Sequence, residues 1–152
     1  MTAERQKKLG KSAESDDQEE KDPEEKKADI AGELEDPSIG KSEEEASKQA
    51  EEIVASGSKF VFEVATLMPQ LIFDVVSKGG VLIIKLNTAH PAYEHLVGLL
   101  DDDAEELIAL KILLGAWARL EDEGSPEERE KLQGLRFDWG RISMDYLKGL
   151  DD

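Results

Sequence analysis

The chain has 152 residues, with 36 Asp and Glu against 19 Lys and Arg, which gives a formal net charge of −17 at pH 7. This length suits a single domain. The acidic balance argues against a surface that binds nucleic-acid phosphates, because such binding needs Lys and Arg to release counterions. The chain contains no cysteine, which excludes disulfides, thiolate catalysis and cysteine-based zinc sites.

The first residues, MTAERQKKLGKSAESDD, carry basic side chains without the apolar segment that follows them in a secretory signal. No run of the sequence approaches the roughly 18 apolar residues that a membrane-spanning helix needs. We therefore expect a cytoplasmic protein of an acidic, bacterial type, with no membrane partner.

The composition changes near residue 58. Residues 1–58 hold 18 of the 36 acidic residues and no aromatic residue. A segment so poor in apolar side chains cannot offset the entropy lost on folding, so we predict a disordered acidic tail over residues 1–41. Within residues 42–57 a short helix is predicted, because Ser42 and Glu45 form a capping-box pattern and Gly57 is a natural helix stop.

An α+β domain is predicted over residues 58–152. The segments KFVFEVAT, QLIFDVV and VLIIKLN alternate in hydrophobicity, which predicts three strands at about 59–66, 70–77 and 80–87, with a turn at Gly79–Gly80. We expect a small antiparallel meander. Val81 and Ile83 point away from Leu82, so the sheet should be apolar on both faces over part of its area. Either helices cover both faces or another segment covers one, and this suggests a missing partner.

Three helices should follow the sheet. The first begins at Pro91 and runs through Leu100, with Asn87 or Thr88 as its cap. The second is AEELIALKILLGAWARLEDE, which is apolar over much of its circumference and so should be buried from several directions. The third opens with Ser125-Pro126-Glu127-Glu128. Its apolar residues then recur at spacings of three and four: Leu132, Leu135, Trp139, Ile142 and Tyr146.

The sequence offers no catalytic, cofactor-binding or metal-binding constellation. His90 and His95 are five residues apart across a proline, whereas a helical zinc pair needs a spacing of four and a third ligand. No GxSxG motif is present. Gly40-Lys41-Ser42 resembles the end of a P-loop, but Glu35 stands where its first glycine would be. We therefore predict a structural role for the corner formed by Asn87, His90, Pro91 and Tyr93.

Basic and aromatic residues gather loosely on the last two helices. They are Trp117, Arg119, Arg136, Trp139 and Arg141. Acidic residues are interleaved with them, which favours ion pairs along the helix surface over a nucleic-acid-binding groove. We predict no direct nucleic-acid binding and treat this set as a possible surface for a protein partner.

Residues 59–150 resemble the C-terminal portion of bacterial GHKL-type ATP-binding proteins, relatives of the gyrase, MutL, MORC and histidine-kinase ATPases. The stretches that carry the resemblance are FVFEVATLMPQLIFDVVSKGGVLIIKLNTAHPAYEHL, ELIALKILLGAWARLEDE and RFDWGRISMDYLKGL. In that family a strand ends in an Asn…His-Pro corner with a following Tyr, as at Asn87, His90, Pro91 and Tyr93. An apolar helix with an Ala-x-Ala-Arg-x-Glu pattern and a Trp-bearing helix come next.

The family binds ATP through a Glu-x-x-x-Asn helix, a DxGxG turn and a glycine-rich lid, and this chain has none of the three. Glu45 with Gln49 lacks the asparagine. No cofactor is therefore expected on this chain, although the resembled family uses ATP. The resemblance implies the segment that follows the ATPase core, either as a truncated product or as a stand-alone derivative.

Two functions stay open at this point. The first is a non-catalytic accessory or transducer-like module that packs its sheet and Trp-bearing helices against an ATPase domain or another protein partner, including a second copy of itself. The second is an acidic interaction protein that acts through its N-terminal tail, as a binder of a basic partner or a DNA mimic. An enzyme is the least favoured class, because no satisfying constellation of reactive groups is present.

Overall fold

The structure, a computed structural model, describes residues 22–151, so the predicted disorder of residues 1–21 lies outside the described residues. Five α-helices and three strands follow one another. They are α1 (Pro23–Leu34), α2 (Glu43–Ser56), β1 (Phe60–Ala65), β2 (Phe73–Lys78), β3 (Val81–Asn87), α3 (Pro91–His95), α4 (Glu105–Glu123) and α5 (Pro126–Lys148). Short 3₁₀ turns follow α3 at Val97–Leu99 and α5 at Gly149–Asp151. The chain is thus α+β, as predicted.

The sheet is mixed, and the predicted antiparallel meander is wrong. The strand order is β1-β3-β2. β2 and β3 form an antiparallel hairpin whose two-residue turn is Gly79–Gly80, both with positive φ, as type I′ turns require. β1 instead pairs with β3 in parallel, from Phe60 opposite Leu82 to Ala65 opposite Asn87. Residues 66–72 therefore cross the end of β3 to reach the far edge of the sheet.

β3 takes the central position because its side chains are apolar towards both faces. All seven of its residues are buried, whereas the edge strands β1 and β2 leave several residues partly exposed. A strand covered on both faces has a nearly continuous apolar sequence, and VLIIKLN has this pattern. Placing this strand between the other two removes the most apolar surface from water.

The side chain of Asn87 holds the crossing segment in place. Its Oδ1 accepts from the backbone N–H groups of Leu67 at 2.9 Å and Ala89 at 3.0 Å. Its Nδ2 donates to the carbonyls of Met68 at 2.8 Å and Leu71 at 2.7 Å. Asn87 is fully buried, and these four bonds satisfy its whole amide. The amide thus supplies the partners that a buried crossing segment needs for its own backbone.

Helices α1 and α2 form a hairpin that covers one face of the sheet. Ile30 and Leu34 of α1 and Ile53 of α2 pack against Val81 and Ile83 of β3. The predicted tail is therefore wrong for residues 23–34, which are helical and partly buried. The predicted helix of residues 42–57 is confirmed. The two apolar faces of the sheet suggested a missing partner, but this chain itself covers the second face.

Charged groups fix how this hairpin sits on the sheet. Lys85 of β3 is buried, with its Nζ 2.5 Å from Glu33 Oε1 and 3.2 Å from Ser38 Oγ. Its neighbour across the strands, Glu63 of β1, pairs with Lys41 Nζ at 3.1 Å. Because a buried charge is costly unless it is paired, the two ion pairs favour one placement of the hairpin.

Helices α4 and α5 lie on the opposite face. Leu114 and Ala118 of α4 pack with Phe60, Leu82 and Ile84 of the sheet. Contact is close, since a Cβ built on Gly115 would lie 2.1 Å from the Phe60 ring. The predicted burial of α4 from several directions is wrong, because Leu113 and Leu120 are exposed. The sheet is therefore the middle of three layers, with the α1–α2 hairpin on one side and α4 and α5 on the other.

Replacing Asn87 with alanine should lower the free energy of unfolding by about 3 kcal/mol, because buried backbone groups of the crossing segment lose their partners. Thr88→Ala, at an exposed neighbour, should cost less than about 1 kcal/mol. Urea denaturation followed by circular dichroism measures both changes. Equal losses in the two variants would contradict the role given to the Asn87 amide.

The loop between α1 and α2 should make stability sensitive to acid. Hydrogen bonds from the Ser38 hydroxyl and backbone N–H hold the pKa of the Asp36 carboxyl below its ordinary value, and nearby Lys85 acts in the same direction. A carboxyl with a lowered pKa in the folded state stabilises the fold above its unfolded pKa, and this contribution is lost as pH falls through the folded value.

Between pH 6 and pH 3, wild type should therefore lose more stability than Asp36→Asn, with Ser38→Ala between them, in urea denaturation at each pH. Most of the difference should develop below about pH 4, where a carboxyl of this type titrates. An equally steep loss of stability in Asp36→Asn and wild type would contradict the stabilising role given to the ionised Asp36 carboxylate.

Candidate functional site

The corner after β3 is built around a histidine with a structural role. His90 is 1% exposed. Its Nδ1 accepts from the backbone N–H of Ala92 at 3.0 Å, and its Nε2 lies 2.8 Å from the carbonyl oxygen of Gly140 in α5. Because Nδ1 is an acceptor, the ring proton is on Nε2, which donates to that carbonyl. Both nitrogens are occupied, so the ring presents no reactive atom to solvent.

The first turn of α3 differs from the prediction. The predicted cap, Asn87 or Thr88, is wrong, since the N-cap is His90 and Pro91 is the first helical residue. α3 ends at His95 instead of continuing to Leu100, and a 3₁₀ turn follows. The ring of Tyr93 faces an apolar groove between α3 and α5. This corner thus attaches α5 to the sheet and supplies one wall of the groove.

Arg136 lies inside the protein and not on the predicted partner surface. It is 2% exposed, and it joins three elements. Its Nε and Nη2 donate to Glu121 of α4 at 2.7 and 3.1 Å, while its Nη1 donates to the carbonyl of Phe73 in β2 at 2.7 Å. Asp74 adds a contact at 3.2 Å. A buried arginine with this many partners acts as a structural link.

Of the other four predicted partner residues, Trp139 and Arg141 are exposed, whereas Trp117 and Arg119 are partly exposed. Trp117 and Trp139 are neighbours across the two helices, with ring centroids 6.2 Å apart. Trp117 is partly buried and donates to Glu121, whereas Trp139 is exposed. Arg119 pairs with Glu123 of its own helix at 2.6 Å, and Arg141 approaches Asp138 at 3.8 Å. Of the five residues, Trp139 presents the largest exposed apolar surface.

A row of apolar side chains runs along the solvent side of α5. This row, named here the α5 ridge, consists of Leu135, Trp139, Ile142 and Tyr146. Between 47% and 78% of each residue is exposed. Their spacings of four, three and four follow the a and d positions of a heptad. Four of the five residues in the apolar row seen in the sequence therefore face solvent, and the fifth, Leu132, is partly exposed.

The ridge points outward because the opposite side of α5 is the one that fits the core. The residues of α5 that are buried are Arg136 and Gly140. Arg136 needs Glu121 and the β2 carbonyl, and Gly140 lies against the crossing segment, where a Cβ would come 2.1 Å from the carbonyl oxygen of Gln70. Turning the ridge inward would break both contacts.

An apolar groove of about 390 Å³ adjoins the ridge. This volume lies within the range of roughly 300–1,000 Å³ typical of binding pockets. Three helices and the end of the sheet form its walls. The lining residues are Ile72, Leu86, Asn87, Ala92, Tyr93, Leu96, Val97, Leu110, Leu114, Trp139, Ser143, Tyr146 and Leu147. Trp139 and Tyr146 belong to both the ridge and the groove, so the two form one continuous surface.

The groove is built to take apolar groups. Two of its polar side chains are already engaged, since the Asn87 amide binds the crossing segment and Ser143 Oγ donates to the carbonyl of Trp139 at 2.6 Å. Within residues 22–151, no group of three or more His, Cys, Asp or Glu residues could hold a metal ion. Across that same range, no helix combines the length and apolarity needed to cross a bilayer.

Comparison with protein-family models, curated proteins and solved structures finds no match to this chain. The GHKL-type relationship therefore stays a prediction from the quoted stretches.

The sequence analysis singled out Trp139 and Tyr93, but it did not predict that Leu96, Val97 and Leu147 line the same groove. Leu96 and Val97 follow a helix that ends earlier than predicted.

Two glycines of α5 provide a matched test of how this helix is seated. Gly140→Ala should lower the free energy of unfolding by about 2 kcal/mol or more, because its Cβ would press on a backbone carbonyl that cannot turn away. Gly134→Ala meets no atom within 4 Å and should stabilise the helix by up to about 1 kcal/mol. Thermal and urea unfolding measure both. Stabilisation by both substitutions would contradict the close contact at Gly140.

Proposed function

We propose that this chain is a non-catalytic protein-binding module whose α5 ridge and adjoining groove receive a helix of a partner protein. The observation that carries the proposal is the exposed heptad row of Leu135, Trp139, Ile142 and Tyr146 beside an apolar groove. The opposite side of the same helix is already committed to the chain's own core, through Arg136 and Gly140. An amphipathic helix of another protein is the element that heptad spacing fits.

The residue types of the α5 ridge and the groove support a protein as the binding partner. Contiguous exposed apolar patches on folded proteins mark interaction sites. Aromatic residues, above all Trp and Tyr, are enriched among the side chains that contribute most to binding. Trp139 and Tyr146 stand at the junction of ridge and groove. A partner side chain placed between them would be removed from water by two rings.

The α1–α2 hairpin reduces the surface on which a partner can dock. The sheet was the other surface proposed for packing against an ATPase domain, and α1 and α2 already cover its second face. The docking surface is therefore assigned to the helices alone. An ATPase domain of the GHKL type is the first partner to test, because residues 59–150 resemble the segment that follows such a domain. No ATP site is proposed on this chain.

The acidic-tail function receives less support. Half of the acidic residues precede residue 59, but α1 and α2 use residues 23–56 to cover the sheet. Ile30, Leu34 and Ile53 are structural residues of that cover. A tail that binds by charge alone would be confined to the first 22 residues.

Ile142→Ser should weaken partner binding by about tenfold or more, because it removes a central apolar contact of the ridge. Val64→Ser is the matched control. Val64 lies on β1 and belongs to neither the ridge nor the groove lining, and both residues are 47% exposed. The partner to test is a purified GHKL-type ATPase domain encoded near this chain. Titration calorimetry measures its affinity for wild type and for the two variants.

The same variants apply where the partner is found by retention on the immobilised chain. The expected result is a protein held by wild type and by Val64→Ser and lost from Ile142→Ser. Equal retention by all three chains would contradict the docking surface. Loss from both variants would indicate either an interface that extends past the groove to β1 or a general loss of folding, and circular dichroism separates these two cases.

A further inference from the structure

An acidic segment borders the groove. Six of the thirteen residues from 94 to 106 are Asp or Glu, and the sequence has no Lys or Arg between Lys85 and Lys111. Glu94 and Asp101, Asp102 and Asp103 are exposed. The same segment contributes Leu96 and Val97 to the groove wall. The apolar site and an acidic segment that contains no Lys or Arg are therefore parts of one surface.

We propose that the partner helix is basic, with apolar residues that lie on the α5 ridge and in the groove and with Lys or Arg residues that face the acidic segment of residues 94–106. This inference rests on the proposed function and specifies the chemistry of its partner. Opposite charges across an interface raise the association rate and select among helices with similar apolar faces. The apolar contacts supply most of the affinity.

The dimensions of the surface suit a short helix. From Leu135 to Tyr146 the ridge covers twelve residues of α5, which rise by about 16 Å at about 1.5 Å per residue. A partner helix of roughly 15 residues with apolar side chains at i, i+3, i+7 and i+10 would span it. The groove at the Tyr146 end has room for large anchor side chains. The acidic segment then lies beside the end of the partner helix that enters the groove.

A second copy of this chain fits the same surface less well. Each chain carries a net charge of −17, so a symmetric dimer on this face would bring two acidic segments near each other. Like charges that meet at an interface oppose association. An anionic membrane surface is disfavoured for the same reason, since amphipathic elements that bind it are rich in Lys and Arg.

The test uses two synthetic 20-residue helical peptides with the same Leu and Ile pattern. One carries Lys at its solvent-facing positions and the other carries Glu. Fluorescence anisotropy with the full chain should show at least tenfold tighter binding of the Lys peptide at 0.05 M salt. The difference should shrink at 0.5 M salt, where screening is strong, while the apolar part of the binding remains.

Two triple variants locate the charge effect. Replacing Asp101, Asp102 and Asp103 with Asn should remove most of the preference for the Lys peptide. Replacing Glu43, Glu44 and Glu52 of α2 with Gln alters charge by the same amount on the opposite layer, and this variant should keep the preference. Ile142→Ser should weaken binding of both peptides.

Each failure has a distinct meaning. Equal binding of the two peptides, lost in Ile142→Ser, would overturn the basic partner and leave the proposed docking surface standing. A preference for the Lys peptide that Ile142→Ser does not weaken would overturn the docking of that helix on the ridge. A concentration-dependent dimer in sedimentation equilibrium, abolished by Ile142→Ser, would make a second copy the occupant and overturn the basic helix.

Discussion

A buried amide at the end of the central strand, the side chain of Asn87, holds the architecture together. It binds the backbone of residues 67–71 with three hydrogen bonds and turns the chain towards α3 with a fourth. A segment that crosses the end of a sheet has backbone groups that no strand can pair. Because Asn87 satisfies them, β1 and β2 can occupy opposite edges of β3, and β3 can be covered on both faces.

The position of α5 follows from the same corner. His90 comes three residues after Asn87 and donates to the carbonyl of Gly140, while the crossing segment touches Gly140 through Gln70. Arg136, one turn earlier, is tied to Glu121 and to β2. These contacts fix the rotation of the helix about its axis. The ridge is therefore held towards solvent by polar contacts on the far side of α5, and its exposure is a consequence of the fold.

Local features were predictable from the sequence, because the rules that govern them act within a few residues. Ser42 and Ser125 each cap a helix by accepting from the backbone N–H three residues on, and Gly79–Gly80 closes the predicted hairpin. The strand order was missed because it depends on pairing between distant segments. The continuous apolarity of VLIIKLN was the available sign of a central strand.

Features that depend on contacts between residues far apart in the sequence could not be predicted from composition and periodicity. Helix α1 was not predicted because the segment is acidic on average, although Ile30 and Leu34 lie one turn apart and pack in the core with α2 and β3. Arg136 resembled a surface residue, since its partner Glu121 lies on another helix. The heptad spacing of the last helix predicted an apolar face, but not whether this chain or another protein covers it.

The most direct test of the account is hydrogen–deuterium exchange of the full chain with and without the Lys-bearing helical peptide. Added protection should appear in α3, in the segment that follows it and in the C-terminal half of α5, while α1 and α2 keep the exchange rates of the unbound protein. Protection confined to α1 and α2, or no protection anywhere at saturating peptide, would contradict a docking surface on the α5 ridge.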